Sequence, residues 1–140
     1  MQGLSPSMEA FLAEKPEFLA LLGFKNYWFE GLSQTYFCTF EPSIGLTHSN
    51  GTIVQGGFIA GMLDSAMAQY VLHAHDFKVN PLTLNLDITY LMPCRPSPVE
   101  ARARVLKMGK SIVFTTAELF QNDKLIATAT ATNKLTDIIK

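Results

Sequence analysis

The chain has 140 residues, 48% of them hydrophobic, which suits one compact domain with a sizeable core. Eleven basic and twelve acidic residues give a formal net charge of -1, and the absence of charge runs argues against a nucleic-acid or membrane-surface partner and favours a small ligand. No stretch reaches the roughly 18 apolar residues of a membrane span, and residues 1–18 show no basic region ahead of an apolar core, so we expect a single cytoplasmic domain over residues 1–140.

The two cysteines are far apart in the sequence. Cys38 and Cys94 belong to no CxxC motif and to no Cys/His cluster. This spacing predicts neither a zinc site nor a disulfide framework. We therefore expect two buried or half-buried thiols and no bound metal.

The N-terminal third is predicted to contain a helix followed by two short extended segments. Residues 7–22 form the helix, with Ser7 as its cap and Gly23 at its end, so residues 1–23 make an N-terminal helical extension. The segments at 27–32 and 33–41 are extended, because the second is rich in aromatic and β-branched residues. A polar loop then leads to a glycine pair.

A long, mostly buried helix is predicted from Gly56 onward. Its apolar residues recur at spacings of three and four with no proline: Phe58, Ile59, Met62, Leu63, Ala66, Met67 and Val71. Asp64 lies in the middle, on a stripe with Gly57, Gly61 and Ala68 that another backbone or a ligand could approach closely. Because burying a lone carboxylate is costly, Asp64 is either bonded to hidden donors or lines a wet cleft.

After this helix the hydrophobic period changes to two. Leu82, Leu84, Leu86, Ile88 and Tyr90 alternate with polar residues, which predicts a half-buried strand. Three further strands are predicted at about 99–107, 111–120 and 124–134, joined by short turns. An antiparallel sheet around one helix leaves open edges, so we expect two copies to pair as a homodimer.

The motifs from the loop onward resemble a known family. The loop HSNGTIVQGG, the helix with an acid nine positions after Gln55, the strand LTLNLDITYLMP and the hairpin VLKMGKSIVFTTAEL are similar to the hotdog-fold acyl-CoA thioesterases of the phenylacetate-pathway (PaaI-like) and acyl-CoA thioesterase 13 type. The resemblance covers about residues 45–134. It implies an α+β hotdog fold, with an antiparallel sheet wrapped around the long helix, assembled as a homodimer or a dimer of dimers.

The resemblance also implies roles for individual residues. Gly56 matches the glycine whose backbone N–H polarises the thioester carbonyl, and Asn50 matches a loop asparagine that assists it. Asp64 matches the acid that activates water or attacks the carbonyl, and Thr83 matches a hydroxyl residue that orients the nucleophile. In the family the acid comes from the subunit opposite the glycine. Gln55 replaces the usual histidine, so it can orient the loop or bind the carbonyl but cannot act as a base.

The remaining candidates concern substrate binding. Gly57 lets a ligand approach the helix N-terminus, where unpaired N–H groups and the helix dipole stabilise negative charge. Ser65 is placed with them, although no GxSxG motif surrounds it and its hydroxyl could bond back to the helix instead. Lys107 and Lys110 could meet the phosphates of coenzyme A, which belongs to the substrate; no separate cofactor is expected.

Two other functions stay open at the level of sequence. One is a hotdog hydratase acting on acyl-CoA or acyl carrier protein, which Gln55 and the lone Asp64 disfavour. The other is a non-catalytic acyl-CoA binding protein, which the glutamine in place of histidine favours.

Overall fold

The computed structural model describes residues 16–137 of the chain. A short helix α1 (Glu17–Leu22) precedes strands β1 (Phe24–Glu30) and β2 (Thr35–Phe40). A 3-10 turn (Ile44–Leu46) and a small hairpin of β3 (Thr47–His48) and β4 (Ile53–Val54) lead to the long helix α2 (Gly56–Ala74). Four long strands follow: β5 (Val79–Tyr90), β6 (Val99–Met108), β7 (Ile112–Gln121) and β8 (Lys124–Asp137).

Six strands form one antiparallel sheet in the order β1-β2-β6-β7-β8-β5. Helix α2 packs across one face of this sheet and contacts β2, β5, β6, β7 and β8. The inward positions of β8 are the small residues Ala127, Ala129 and Ala131, all buried, which lets the helix lie close to the sheet. The expected antiparallel sheet around one long helix is confirmed.

The two sides of α2 differ in burial. Its core side carries nine buried residues: Ile59, Met62, Leu63, Ser65, Ala66, Met67, Gln69, Tyr70 and Val71. The other stripe runs through Gly57, Gly61, Asp64 and Ala68 and is exposed or half-buried. Leu22 of α1 covers part of it, since a Cβ on Gly61 would lie 3.6 Å from the Leu22 methyl groups. Asp64 therefore faces away from the sheet core.

Strand β5 differs from its prediction. Leu82 and Leu84 are 46% and 58% exposed, so the expectation that they share a half-buried face with Leu86 is wrong. The cause is a β-bulge: Thr83 pairs with Asn133 but Asn85 pairs with Thr132, which leaves Leu84 as an extra residue. Before the bulge Thr83 points towards α2, and after it Leu86, Ile88 and Tyr90 do.

Other predicted bounds shift by a few residues. The first predicted strand, 27–32, is observed at Phe24–Glu30, because the turn that ends it begins at Gly31. The N-terminal helix was expected over 7–22; its part before residue 16 lies outside the described residues, and α1 begins at Glu17 after Pro16. Gly23 ends α1 in the left-handed conformation, as predicted, with a φ of 81°.

Candidate active site

The N-terminus of α2 is held in one orientation by two hydrogen bonds to the peptide between Gly56 and Gly57. Tyr90 at the end of β5 donates its hydroxyl to the Gly56 carbonyl at 2.6 Å. Gln55 accepts from the Gly57 N–H through Oε1 at 2.8 Å and so acts as the N-cap. Gln55 is thus an orienting residue here.

These contacts leave the Gly56 N–H as an unengaged donor. The carbonyl of Gln55, on the same peptide, accepts from Phe58 N at 3.0 Å and points along the helix. The Gly56 N–H points the opposite way and donates to no atom within residues 16–137. Donors of this kind at a helix N-terminus bind negative charge, helped by the helix dipole.

An open, largely apolar pocket of about 370 Å³ lies beside this donor. It is lined by the helix N-terminus, the β3–β4 hairpin and the segment that follows β5: His48, Ile53, Val54, Gly56, Ile59, Tyr90, Leu91, Met92, Pro93 and Cys94. Gly56 gives the Tyr90 ring room on this side, because a Cβ at position 56 would lie 3.1 Å from the ring, a tight contact.

Two potentially reactive side chains line the pocket. Cys94 is buried, as expected, and burial raises the pKa of its thiol to about 11, so it is protonated near neutral pH and not a nucleophile. His48 is exposed and its Nδ1 lies 2.8 Å from the hydroxyl of Ser49, within its own loop.

Asp64 and Thr83 form the second part of the site. Thr83 Oγ1 donates to Asp64 Oδ1 at 2.8 Å, so the two residues that the resemblance pairs do meet. Asp64 is half-buried and Thr83 is exposed, and both are accessible from the uncovered side of α2. Asp64 is therefore a half-buried carboxylate with a hydrogen-bond donor on the outer side of α2, and it does not line the pocket at the helix N-terminus.

The remaining predicted residues lie elsewhere. Asn50 is exposed at the tip of the β3–β4 loop, with a φ of 57°, and is not among the residues that line the pocket. Ser65 is 7% exposed and accepts from Gln69 Nε2 at 3.0 Å, which places its hydroxyl in the core and away from Asp64. Lys107 and Lys110 are exposed at the β6–β7 turn.

Two residues that touch the site had no role in the sequence interpretation. Tyr90 holds the Gly56 carbonyl, and Asn133 lies under Thr83 with Oδ1 3.4 Å from the Thr83 hydroxyl. Tyr90 carried no local signal. Asn133 did carry one: it interrupts the alternating ATATAT of β8 with an amide at a core position.

Two features are absent from the described part of the chain. Residues 16–137 bring together no group of three His, Cys, Asp or Glu side chains that could hold a metal ion. Within the same range, no helix combines the length and the hydropathy that a bilayer span requires.

The six-stranded antiparallel sheet packed on the long helix α2 is the hotdog fold. A family model described as the thioesterase superfamily matches residues 51–128, which is more than half of the chain. The chain belongs to the thioesterase superfamily, and the resemblance found in its motifs is confirmed at this level.

Solved structures support the same assignment. A phenylacetic acid degradation-related protein from Ralstonia eutropha has 27% identity and a TM-score of 0.81, over 91% of this chain and 98% of that chain. A thioesterase from Haemophilus influenzae has 15% identity and a TM-score of 0.82, over 100% and 94% of the two chains. A Streptococcus mutans protein bound to acetyl CoA has 19% identity and a TM-score of 0.68, over 83% and 93%. Among curated protein sequences none matches significantly.

Proposed function

We propose that this protein is an acyl-CoA thioesterase, which hydrolyses the thioester of an acyl- or aryl-CoA to the free acid and coenzyme A. The observation that carries the proposal is the unengaged N–H of Gly56, a residue that lines an apolar pocket at the N-terminus of α2. A thioester needs such a donor, because negative charge develops on its carbonyl oxygen during hydrolysis.

Each part of the reaction has a candidate group. The Gly56 N–H and the helix dipole stabilise the oxyanion, and losing a donor of this kind typically costs about 10² to 10³ in rate. Asp64 supplies the carboxylate, either as a general base that takes a proton from water or as a nucleophile that forms an acyl-enzyme for water to resolve. The sulfur of coenzyme A leaves as a thiol. Thr83 orients the carboxylate through its 2.8 Å hydrogen bond.

One subunit does not hold these groups at one carbonyl. Gly56 and Asp64 are about 12 Å apart along α2 at about 1.5 Å rise per residue. We therefore propose a homodimer in which Gly56 of one subunit and Asp64 of the other subunit share each site. The dimer would pair further as a tetramer, as the resemblance implies.

Strand β5 is the edge that suits this pairing. Its single neighbour among residues 16–137 is β8, and Leu82 and Leu84 are 46% and 58% exposed on it. An unpaired edge carrying exposed leucines is unfavourable in a monomer. Pairing β5 with the β5 of a second copy would satisfy this edge, shield the two leucines in part and bring the two α2 helices side by side.

The structural relatives support the choice of substrate class. One relative is a thioesterase by name, and another is bound to acetyl CoA. The proposal needs no metal and no separate cofactor. Lys107 and Lys110 are kept as candidate partners of the coenzyme A phosphates, because they are exposed and cationic.

The test is a panel of acetyl-, medium-chain, long-chain and phenylacetyl-CoA with a free-thiol assay on the purified, metal-free protein. We expect thiol release with at least one ester, and a loss of about 10³ in Asp64→Asn. Asp123→Asn is the matched control, since Asp123 is exposed in the β7–β8 turn, where its φ of 62° suits asparagine. Full activity of Asp64→Asn would refute the assignment. Hydration of an enoyl-CoA without thiol release would indicate a hydratase, and binding without turnover an acyl-CoA binding protein.

Complementation tests the shared site directly. Gly56→Val and Asp64→Asn should each be inactive as pure proteins. After co-refolding, half of the dimers are mixed and each contains one intact site, so we expect about a quarter of wild-type activity. No recovery in mixed dimers verified by mass would place both groups in the same subunit.

A further inference from the structure

Asn133 is a buried amide at a position where the rest of its strand carries alanine. The helix-facing residues of β8 are Ala127, Ala129 and Ala131, and the next one is Asn133, which is 1% exposed. Burying an amide without hydrogen bonds is unfavourable, because its polar atoms lose their contacts with water. The presence of this side chain therefore depends on the partners it meets.

Its partners connect the core of the sheet to the proposed catalytic pair. Asn133 faces Thr83 across the β5–β8 ladder and Val113 across the β7–β8 ladder. Its amide lies 3.1 Å from Thr115 Oγ1 on one side and 3.4 Å from Thr83 Oγ1 on the other. Thr115 is itself buried and lies 3.2 Å from Met67 Sδ of α2. Thr83, at 2.8 Å from Asp64, is thus the outer end of a chain of polar groups.

The donor and acceptor roles along this chain of polar groups depend on the single proton of the Thr83 hydroxyl. The carboxylate is the stronger and nearer acceptor, at 2.8 Å against 3.4 Å for Asn133 Oδ1, so the proton is committed to Asp64. The hydroxyl then offers only lone pairs towards Asn133 Oδ1. On its other side the amide donates from Nδ2 to Thr115 Oγ1 at 3.1 Å and to the Val113 carbonyl at 3.5 Å. Rotating the amide by 180° gives up the 3.5 Å contact with Val113 and lets Nδ2 donate to Thr83, while Oδ1 accepts from Thr115. Each of the three contacts from Thr115 to Asp64 then has a donor and an acceptor.

We propose that Asn133 is a positioning residue for hydrolysis, which holds the Thr83 hydroxyl from the core side so that its proton points at Asp64. This inference rests on the proposed function, since it assigns Asn133 a role through Asp64. The chain runs from Thr115 through Asn133 and Thr83 to the carboxylate. Asn133 touches no substrate, and its effect is on the orientation of Asp64 and hence on kcat.

The test is a double-mutant cycle between Asn133→Leu and Thr83→Ala, with kcat and KM measured for the acyl-CoA that the wild type hydrolyses best. We expect each single variant to lose about 10-fold in kcat with KM changed less than about 2-fold, because the substrate contacts are intact. The double variant should lose no more than Thr83→Ala alone, because Asn133 acts through Thr83. A general loss of stability does not give this non-additivity.

The control and a second variant keep the outcome decisive. Gln69→Met removes another buried amide, which bonds Tyr36 and Ser65 in the core, and should lower the melting temperature without lowering kcat. If Asn133→Leu does not fold, Thr115→Val removes the hydrogen-bond partner of the Asn133 amide in the core and should lower kcat in the same non-additive way. An unchanged kcat in the folded Asn133 or Thr115 variant, or losses that multiply with that of Thr83→Ala, would overturn the proposal. Activity retained by Asp64→Asn would instead overturn the proposed function.

Discussion

Thr83 and Tyr90 both reach helix α2, although they are an odd number of positions apart on β5 and a regular strand would direct them to opposite faces. The bulge at Leu84 adds one residue to the strand, so Thr83 and Tyr90 point to the same face of the sheet. One strand thereby holds both proposed catalytic parts of the helix: Tyr90 fixes the peptide after Gly56, and Thr83 fixes Asp64.

Replacing Thr83 tests its contact with Asp64. We expect Thr83→Ala to lower kcat about 10-fold, because the carboxylate loses the hydroxyl that orients it. Thr83→Ser keeps the hydroxyl and should retain activity within about 2-fold of wild type. Steady-state kinetics on the two variants make the comparison, and equal rates for Ala and Ser would reduce Thr83 to a strand residue.

Gly56 and Gly61 on α2 provide a matched pair of glycines. A Cβ at Gly56 would lie 3.1 Å from the Tyr90 ring and displace the phenol, whereas a Cβ at Gly61 would meet the Leu22 methyl groups at 3.6 Å, an ordinary contact. We expect Gly56→Ala to lower thioester hydrolysis about 10-fold, because the added methyl group moves the Tyr90 phenol that holds the Gly56 carbonyl. Gly61→Ala should be active and slightly more stable, since alanine favours helix. Similar rates in the two variants would contradict the role of the Gly56 donor.

Two substitutions of Gln55 distinguish its role in helix capping from its effect on catalysis. Gln55→Leu removes the acceptor of the Gly57 N–H and should lower the free energy of unfolding by about 1 kcal/mol. Gln55→Glu keeps an acceptor and should retain stability, yet it places a negative charge beside the developing oxyanion and should lower kcat about 10-fold. Urea denaturation and kinetics measure the two effects. A Glu variant with wild-type kcat would show that position 55 is remote from the carbonyl.

The thiol of Cys94 is predicted to be inert in spite of its place in the pocket. Burial raises its pKa from about 9 to about 11, which favours the neutral form, so the thiolate forms only as the pH rises towards 11. We expect incubation with iodoacetamide at pH 7.5 to leave hydrolysis unchanged and Cys94 unmodified by mass spectrometry. Rapid inactivation with alkylated Cys94 at that pH would contradict this.

A substitution of Leu84 tests whether two subunits pair through β5. Leu84 is 58% exposed on the free edge of β5. Leu106 is 64% exposed on β6, which is an inner strand of the sheet, so it is a control with similar exposure away from that edge. We expect Leu84→Lys to yield monomers with little hydrolysis, since each site needs both subunits, and Leu106→Lys to keep the dimer. Light scattering after size exclusion gives the mass. A monomeric wild type with full activity would contradict the shared site.

The sequence predicted those features that depend on local patterns. The helix from Gly56, the order of strands after it and the burial of Cys38 and Cys94 follow from periodicity and composition, because short-range spacing decides which face of an element is apolar. Asp64 stood out for the same reason, because a carboxylate among apolar neighbours is unusual wherever the helix lies. Gly56 was singled out by the family resemblance of its motif.

The tertiary structure decided which of these groups meet. Alternation along β5 predicted that Leu82 and Leu84 share one buried face with Leu86, and only the pairing with β8 revealed the bulge that separates them. The contacts of Tyr90 with Gly56 and of Asn133 with Thr83 join residues distant in sequence, and the core position of Ser65 follows from its partner Gln69. Periodicity along one chain gives the face of each residue. The register between strands, set by packing and hydrogen bonding across the sheet, gives its neighbours.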